Sequence, residues 1–140
     1  MSEGEQFREV RRWLRYARED LQAAETLLAQ RTVTPRHICW LAQQSAEKAL
    51  KSILVFLLID FPWIHDLDAL RTLLPDDWQT KAEHPDLASL TEWATEARYP
   101  GDWADPTEAD ATAAVRQARG VWNSVRADFL RREFKIEESE

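Results

Sequence analysis

Cysteine and glycine are scarce in this chain, long apolar runs are missing, and positive charge is in deficit. A single cysteine, Cys39, cannot form an internal disulfide and gives no argument for an oxidising compartment. On a helix of apolar character it reads as a small core residue rather than a nucleophile. Three glycines are too few and too scattered for a glycine-rich phosphate loop. The longest apolar run, Ile53 to Ile59, falls far short of the ~20 residues that cross a bilayer. The first dozen residues, Met1 to Arg12, carry charges throughout and do not resemble a signal peptide. These absences predict a cytoplasmic protein without a membrane partner. The net charge of −7 argues against non-specific nucleic-acid binding, which depends on Lys and Arg neutralising phosphates. It leaves a local basic site open. No Glu-x-x-His occurs, so a di-iron site in a helical bundle lacks its ligand pair. His37 and Cys39 are too few for zinc. No metal and no cofactor is expected.

What is present is helical periodicity. A chain of 140 residues fits one domain, and roughly two-thirds of its unfolded surface can be buried without a staple. Pro35, Pro62, Pro75, Pro85, Pro100 and Pro106 divide it into segments. The first carries Phe7, Val10, Leu14, Ala17, Leu21, Ala24 and Leu28 at alternating three- and four-residue spacing, which predicts a helix from near Glu5 to Gln30. A second helix starts after Thr34, with Pro35 in its first turn and Ile38, Ala42, Ser45, Ala49, Ile53 and Phe56 on its apolar face. Beyond Lys51 it is apolar all round to Ile59, so that end must be covered by the rest of the chain or by a second copy. A short helix follows from Asp66 to Leu74, with Asp66 as its cap, and another from about Pro85 to Ala97. The last starts with Asp105 at the cap, Pro106 first and Glu108 third. The expectation is an all-α domain of four to five helices over residues 7–132. It is flanked by a tail at 1–6 and a frayed, charged tail at 133–140. Seven tryptophans are dispersed along the chain, which favours packing roles over one stacking platform.

Three constellations could carry chemistry. On the second helix Gln44, Glu47, Lys48 and Lys51 stand at i, i+3, i+4 and i+7 and therefore share a face. By themselves they describe a solvated face with one Glu-to-Lys pair worth a few tenths of a kcal/mol. His65 beside Asp66 is either a helix start or a histidine poised next to a carboxylate. Arg98 and Tyr99 before Pro100 are either a helix end or an anion-binding corner.

Their order along the chain is more specific than any one of them. A long amphipathic helix, then Gln43-Gln44-Ser45-Ala46-Glu47-Lys48-Ala49-Leu50-Lys51, then His65-Asp66-Leu67, then Arg98-Tyr99-Pro100 resembles the HEPN family, the higher-eukaryote and prokaryote nucleotide-binding domain. The resemblance runs from about Phe7 to Leu130. It implies an up-down helical bundle that forms a homodimer and works on or near nucleotides or RNA. A minimal nucleotidyltransferase is a frequent partner, often in a toxin–antitoxin pair. Ribonuclease members carry an Arg followed after four to six residues by a His late in the fold. Here the seven residues after Arg98 hold no His, and the last His is His84. Ribonuclease activity by the family's mechanism is not expected.

Three readings follow. The first is a module that binds a nucleotide, a nucleotidyltransferase partner or both, through Gln44, Glu47, Lys48, Lys51, His65, Asp66, Arg98 and Tyr99. Arg98 and the lysines would hold phosphate there. The second is a non-catalytic dimeric interaction protein in which the polar stripe is structural. An RNA-cleaving toxin comes third.

Overall fold

The computed structural model describes residues 1–31, 34–94 and 105–137, and among them there are helices and no strands. Helix α1 spans Glu3–Gln30. Its N-cap, Ser2, accepts a hydrogen bond from the Glu5 amide, and Arg31 ends it in the left-handed conformation. The buried positions are Val10, Leu14, Ala17, Leu21 and Ala24, the face that the spacing marks. Helix α2, Pro35–Phe56, is the centre of the domain and packs on α1 along one side and on α6 (Glu108–Arg131) along the other. That position explains its composition. Ala42, Ala46 and Ala49 are fully buried and keep the neighbouring axes close. Ser45, inside the apolar face, donates to the Ala17 carbonyl of α1 at 2.7 Å, so its hydroxyl is buried at little cost.

The apolar end of α2 stops earlier than its composition predicts. The helix closes at Phe56, and Leu58 takes a positive φ of 56° before the chain turns away. Gln6 of α1 donates to the last carbonyls, Val55 and Phe56, at 3.3 and 2.8 Å. Such side-chain capping satisfies acceptors that the helix itself leaves unpaired. Residues 1–6 are therefore largely part of α1 rather than a tail. The chain covers much of the apolar end itself: Phe56 meets Trp78, Phe129 and Phe134 at ring-centroid separations of 5.9, 5.3 and 5.2 Å. Phe134 lies beyond α6 and is buried. Within the segment after Arg132, Phe134 is thus buried in the core and Ile136 packs against it, while Glu133, Lys135 and Glu137 stay exposed.

Between α2 and α6 the chain forms small helices. Helix α3, Leu67–Thr72, is capped by Asp66, whose carboxylate accepts from the Ala69 amide. Helix α4, Gln79–Glu83, has no start signal in the sequence, since its N-cap, Trp78, offers no side-chain acceptor. Its cap comes from α6: the buried Asp128 carboxylate accepts from the Gln79 and Thr80 amides at 3.1 and 2.9 Å. The helix expected at Pro85–Ala97 is one turn, α5, at Ala88–Thr91, continued by a 3-10 turn at Glu92–Ala94; residues 95–97 lie outside the described residues. Helix α6 starts two residues later than expected. Thr107 caps it, and Asp110 returns the bond to the Thr107 amide. A threonine with an acid three residues on satisfies two orphan amides reciprocally, which Asp105 and Glu108 cannot do from that register. Gly120 lies inside α6 without ending it.

Candidate functional site

Because α2 is central, its polar stripe cannot be a solvated face. Glu47 and Lys51 are 4% and 3% exposed. The Lys51 ammonium donates to Glu47 Oε2 at 3.0 Å. Its other sides face aromatic rings, with the centroids of Trp13, Phe61 and Trp63 at 5.7, 5.4 and 5.6 Å. All three lie within the range where a cation is attracted to a ring face, and the attraction is larger where water is excluded. A buried ammonium thus has one carboxylate and the rings of Trp13 and Phe61 beside it, with the Trp63 ring at its solvent edge.

The second carboxylate oxygen of Glu47 gathers two further groups. Gln43 Nε2 donates to Oε1 at 3.1 Å, and His65 Nδ1 lies 2.7 Å from the same oxygen. Burial pushes the Glu47 carboxyl up, but the bonds from His65, Gln43 and Lys51 and the Lys51 charge outweigh it and hold the group below its ordinary value. An ionised carboxylate only accepts, so His65 donates through Nδ1 and presents Nε2 on its outer side. The imidazole itself is 62% exposed. Gln43 also donates to the His65 carbonyl at 3.3 Å, and Gln44 to Gln43 Oε1 at 2.7 Å. The network therefore ties the loop carrying Phe61, Trp63 and His65 to α2. Among the described residues no buried side-chain nitrogen or oxygen lacks a partner.

The eight residues expected to form one site do not all converge. Glu47, Lys51 and His65 meet, and Gln44 joins through Gln43. Lys48 points elsewhere and pairs with Asp20 of α1 at 2.5 Å. Asp66 turns to its own helix, α3. Arg98 and Tyr99 lie outside the described residues. Gln43, Trp13, Phe61 and Trp63 belong to the site without having been expected there. Gln43 was legible, since it stands four residues before Glu47 on a helix. The three aromatic residues come from α1 and from the loop after α2, and no local spacing links them to Lys51.

The other candidate nucleophiles among the described residues, Cys39 and Ser124, are not activated. Burial pushes the Cys39 thiol up to about 12, with Asp110 adding to the effect, so it stays protonated. Ser124 lies 2.8 Å from His84 Nε2 but donates its proton to Glu83, the reverse of a serine activated by histidine. Burial lowers the His84 pKa despite the nearby Glu83 charge and a backbone bond at Gly120. No cluster of three metal-ligating side chains and no helix long and apolar enough to cross a membrane occurs among the described residues.

Comparison with known proteins agrees with this architecture. The model of the HEPN domain family matches residues 10–128. An archaeal HEPN homologue, ST0689, is 29% identical over 84% of this chain and 95% of its own, with a TM-score of 0.63. TT1696 from Thermus thermophilus is 24% identical over 85% of this chain and 97% of its own, with a TM-score of 0.67, and shares the fold. No match is found among curated proteins.

Proposed function

Since this chain belongs to the HEPN domain family, we propose that it is a non-catalytic docking module of the cytoplasm that pairs with a second copy of itself. The docking surface is the segment that follows α2. One observation carries this reading: Trp63 is 91% exposed although its loop is anchored by the buried Glu47 network. Leu58, in the same segment, is 68% exposed. An exposed tryptophan on an immobilised loop loses little freedom on association, and tryptophans are enriched among residues that dominate binding energy. Glu47, Lys51, Gln43 and His65 act by presenting that surface.

Nucleotide capture by the same stripe has less support. The Lys51 ammonium is matched to Glu47 and flanked by rings, and Lys48 is held by Asp20. A minimal nucleotidyltransferase, as in a toxin–antitoxin pair, is the competing occupant of the surface.

Light scattering coupled to size exclusion separates these outcomes. The wild type is expected to be a dimer at micromolar concentration, and Leu58→Ser with Trp63→Ser a folded monomer. A wild-type monomer that forms a complex with a nucleotidyltransferase chain transfers the surface to that partner. A wild type that binds neither, or a dimer untouched by the double substitution, overturns the reading.

A further inference from the structure

Lys48 and Lys51 of the α2 stripe are engaged, yet the molecule holds a second set of cations, of which only part has partners. A cavity of about 420 Å³ lies between α1, the distal half of α6 and the segment after it. It is lined by five arginines of α1, Arg8, Arg11, Arg12, Arg15 and Arg18, and by Arg126 of α6. In a chain of net charge −7, six guanidinium groups share one cavity, and among the described residues the only acid lining it is Glu137.

Structural duty accounts for part of this set. Arg11 donates to the Lys135 carbonyl at 2.9 Å and lies over the Phe134 ring at 4.7 Å. Arg18 pairs with Glu137, and Arg15 stands 3.7 Å from Glu19 with both largely solvated. Arg8, Arg12 and Arg126 have no hydrogen bond or ion pair among the described residues. Like charges repeated at three- and four-residue spacing destabilise a helix by a few tenths of a kcal/mol each. Packing therefore gives no reason for the unpaired three.

We propose that this cavity is a binding site for an oligophosphate chain. Guanidinium groups match phosphate oxygens in planar, bidentate geometry. Arg8 to Arg18 spans about 15 Å of helix, the reach of several linked phosphates rather than one. The volume falls in the range of roughly 300–1,000 Å³ typical of small-ligand sites. Trp122 also lines the cavity but is 6% exposed, so it offers a wall and no open face for base stacking. Recognition rests on the phosphates, whether in an inorganic polyphosphate or in the tail of a nucleoside triphosphate. Glu137 already holds one end of the groove by pairing with Arg18, so the chain's own carboxylate occupies part of the anion site and competes with the ligand.

The test is calorimetric titration of the full chain at low salt with inorganic tripolyphosphate, ATP and an RNA oligonucleotide. The expected result is tripolyphosphate binding that weakens as salt rises and by about tenfold or more in Arg12→Gln with Arg126→Gln. Glu137→Gln should strengthen it severalfold. Both replaced arginines are exposed, and circular dichroism checks that the fold persists. Equal affinity for tripolyphosphate and ATP supports the site and assigns recognition to the phosphates; tighter ATP supports it and adds a nucleoside contact. No tripolyphosphate binding, binding indifferent to the double substitution, or binding of RNA alone overturns it. Each result is independent of the oligomeric state that tests the docking surface.

Discussion

Two helices carry stripes of charge at the same spacing and use them in opposite ways. On α2, Glu47 and Lys51 are buried and closed upon each other, with His65, Gln43 and the Trp13 and Phe61 rings beside them and the Trp63 ring at the solvent edge. On α1, Arg8, Arg12 and Arg15 are exposed, and the first two are unpaired among the described residues. The spacing tells only that the residues share a helix face. Which neighbour covers that face decides the rest. Helix α2 is flanked by α1 and α6, so a charge there must be neutralised inside the protein. The outer face of α1 meets water, where a charge needs no partner and remains available to a ligand.

The contrast is broken most severely from the buried side. Lys51→Met leaves Glu47 without its cation and is expected to destabilise the fold by about 3–5 kcal/mol, read by urea unfolding. Adding Glu47→Leu to Lys51→Met should recover part of that loss, because the uncompensated charge is gone. A loss below about 1 kcal/mol for the single substitution would mean that the pair is hydrated in solution.

Acid is a gentler probe of the same difference. Bonds from His65, Gln43 and Lys51 hold Glu47 below its ordinary pKa against the opposing effect of burial. Burial also opposes ionisation of Asp128, but Thr80, Arg131 and the Gln79 amide lower its pKa overall. A carboxylate lowered in the folded state contributes stability that is present above its unfolded pKa, about 4, and lost as pH falls through the folded value. The urea midpoint should therefore hold from neutral pH to about 5 and fall below about 4. Asp128→Asn should make that fall shallower. An identical acid profile in this variant would remove Asp128 from the account.

The smallest effect is expected where the stripe reaches the surface. The Lys48–Asp20 pair is about a quarter exposed on both sides, so Lys48→Ala should cost no more than about 1 kcal/mol. A loss comparable to that of Lys51→Met would erase the distinction between buried and peripheral members of the stripe.

Much of this architecture is legible in the sequence. The face of α1, the Pro35 start of α2 and the Asp66 cap of α3 follow from periodicity and capping chemistry within a few neighbouring residues. What is not legible depends on residues far apart in the chain. Helix α4 is capped by Asp128, some fifty positions downstream. Phe134 is held down by Phe7, Phe56 and Phe129, which overrides the charged composition around it. The arginines of α1 stand in plain view at helical spacing, but the overall negative charge masks them. The cavity they line also needs Arg126 and the segment beyond α6.

By itself, the sequence determined that the chain is all-helical, which faces of its long helices are apolar, and that Glu47 and Lys51 stand one turn apart. These properties depend on contacts within a turn or two, where spacing is geometry. Only the tertiary structure decided that the α2 stripe is interior and the α1 stripe exterior. That outcome depends on which helix is placed between the other two, because removal from water converts a weak surface pair into a charge network that must be complete.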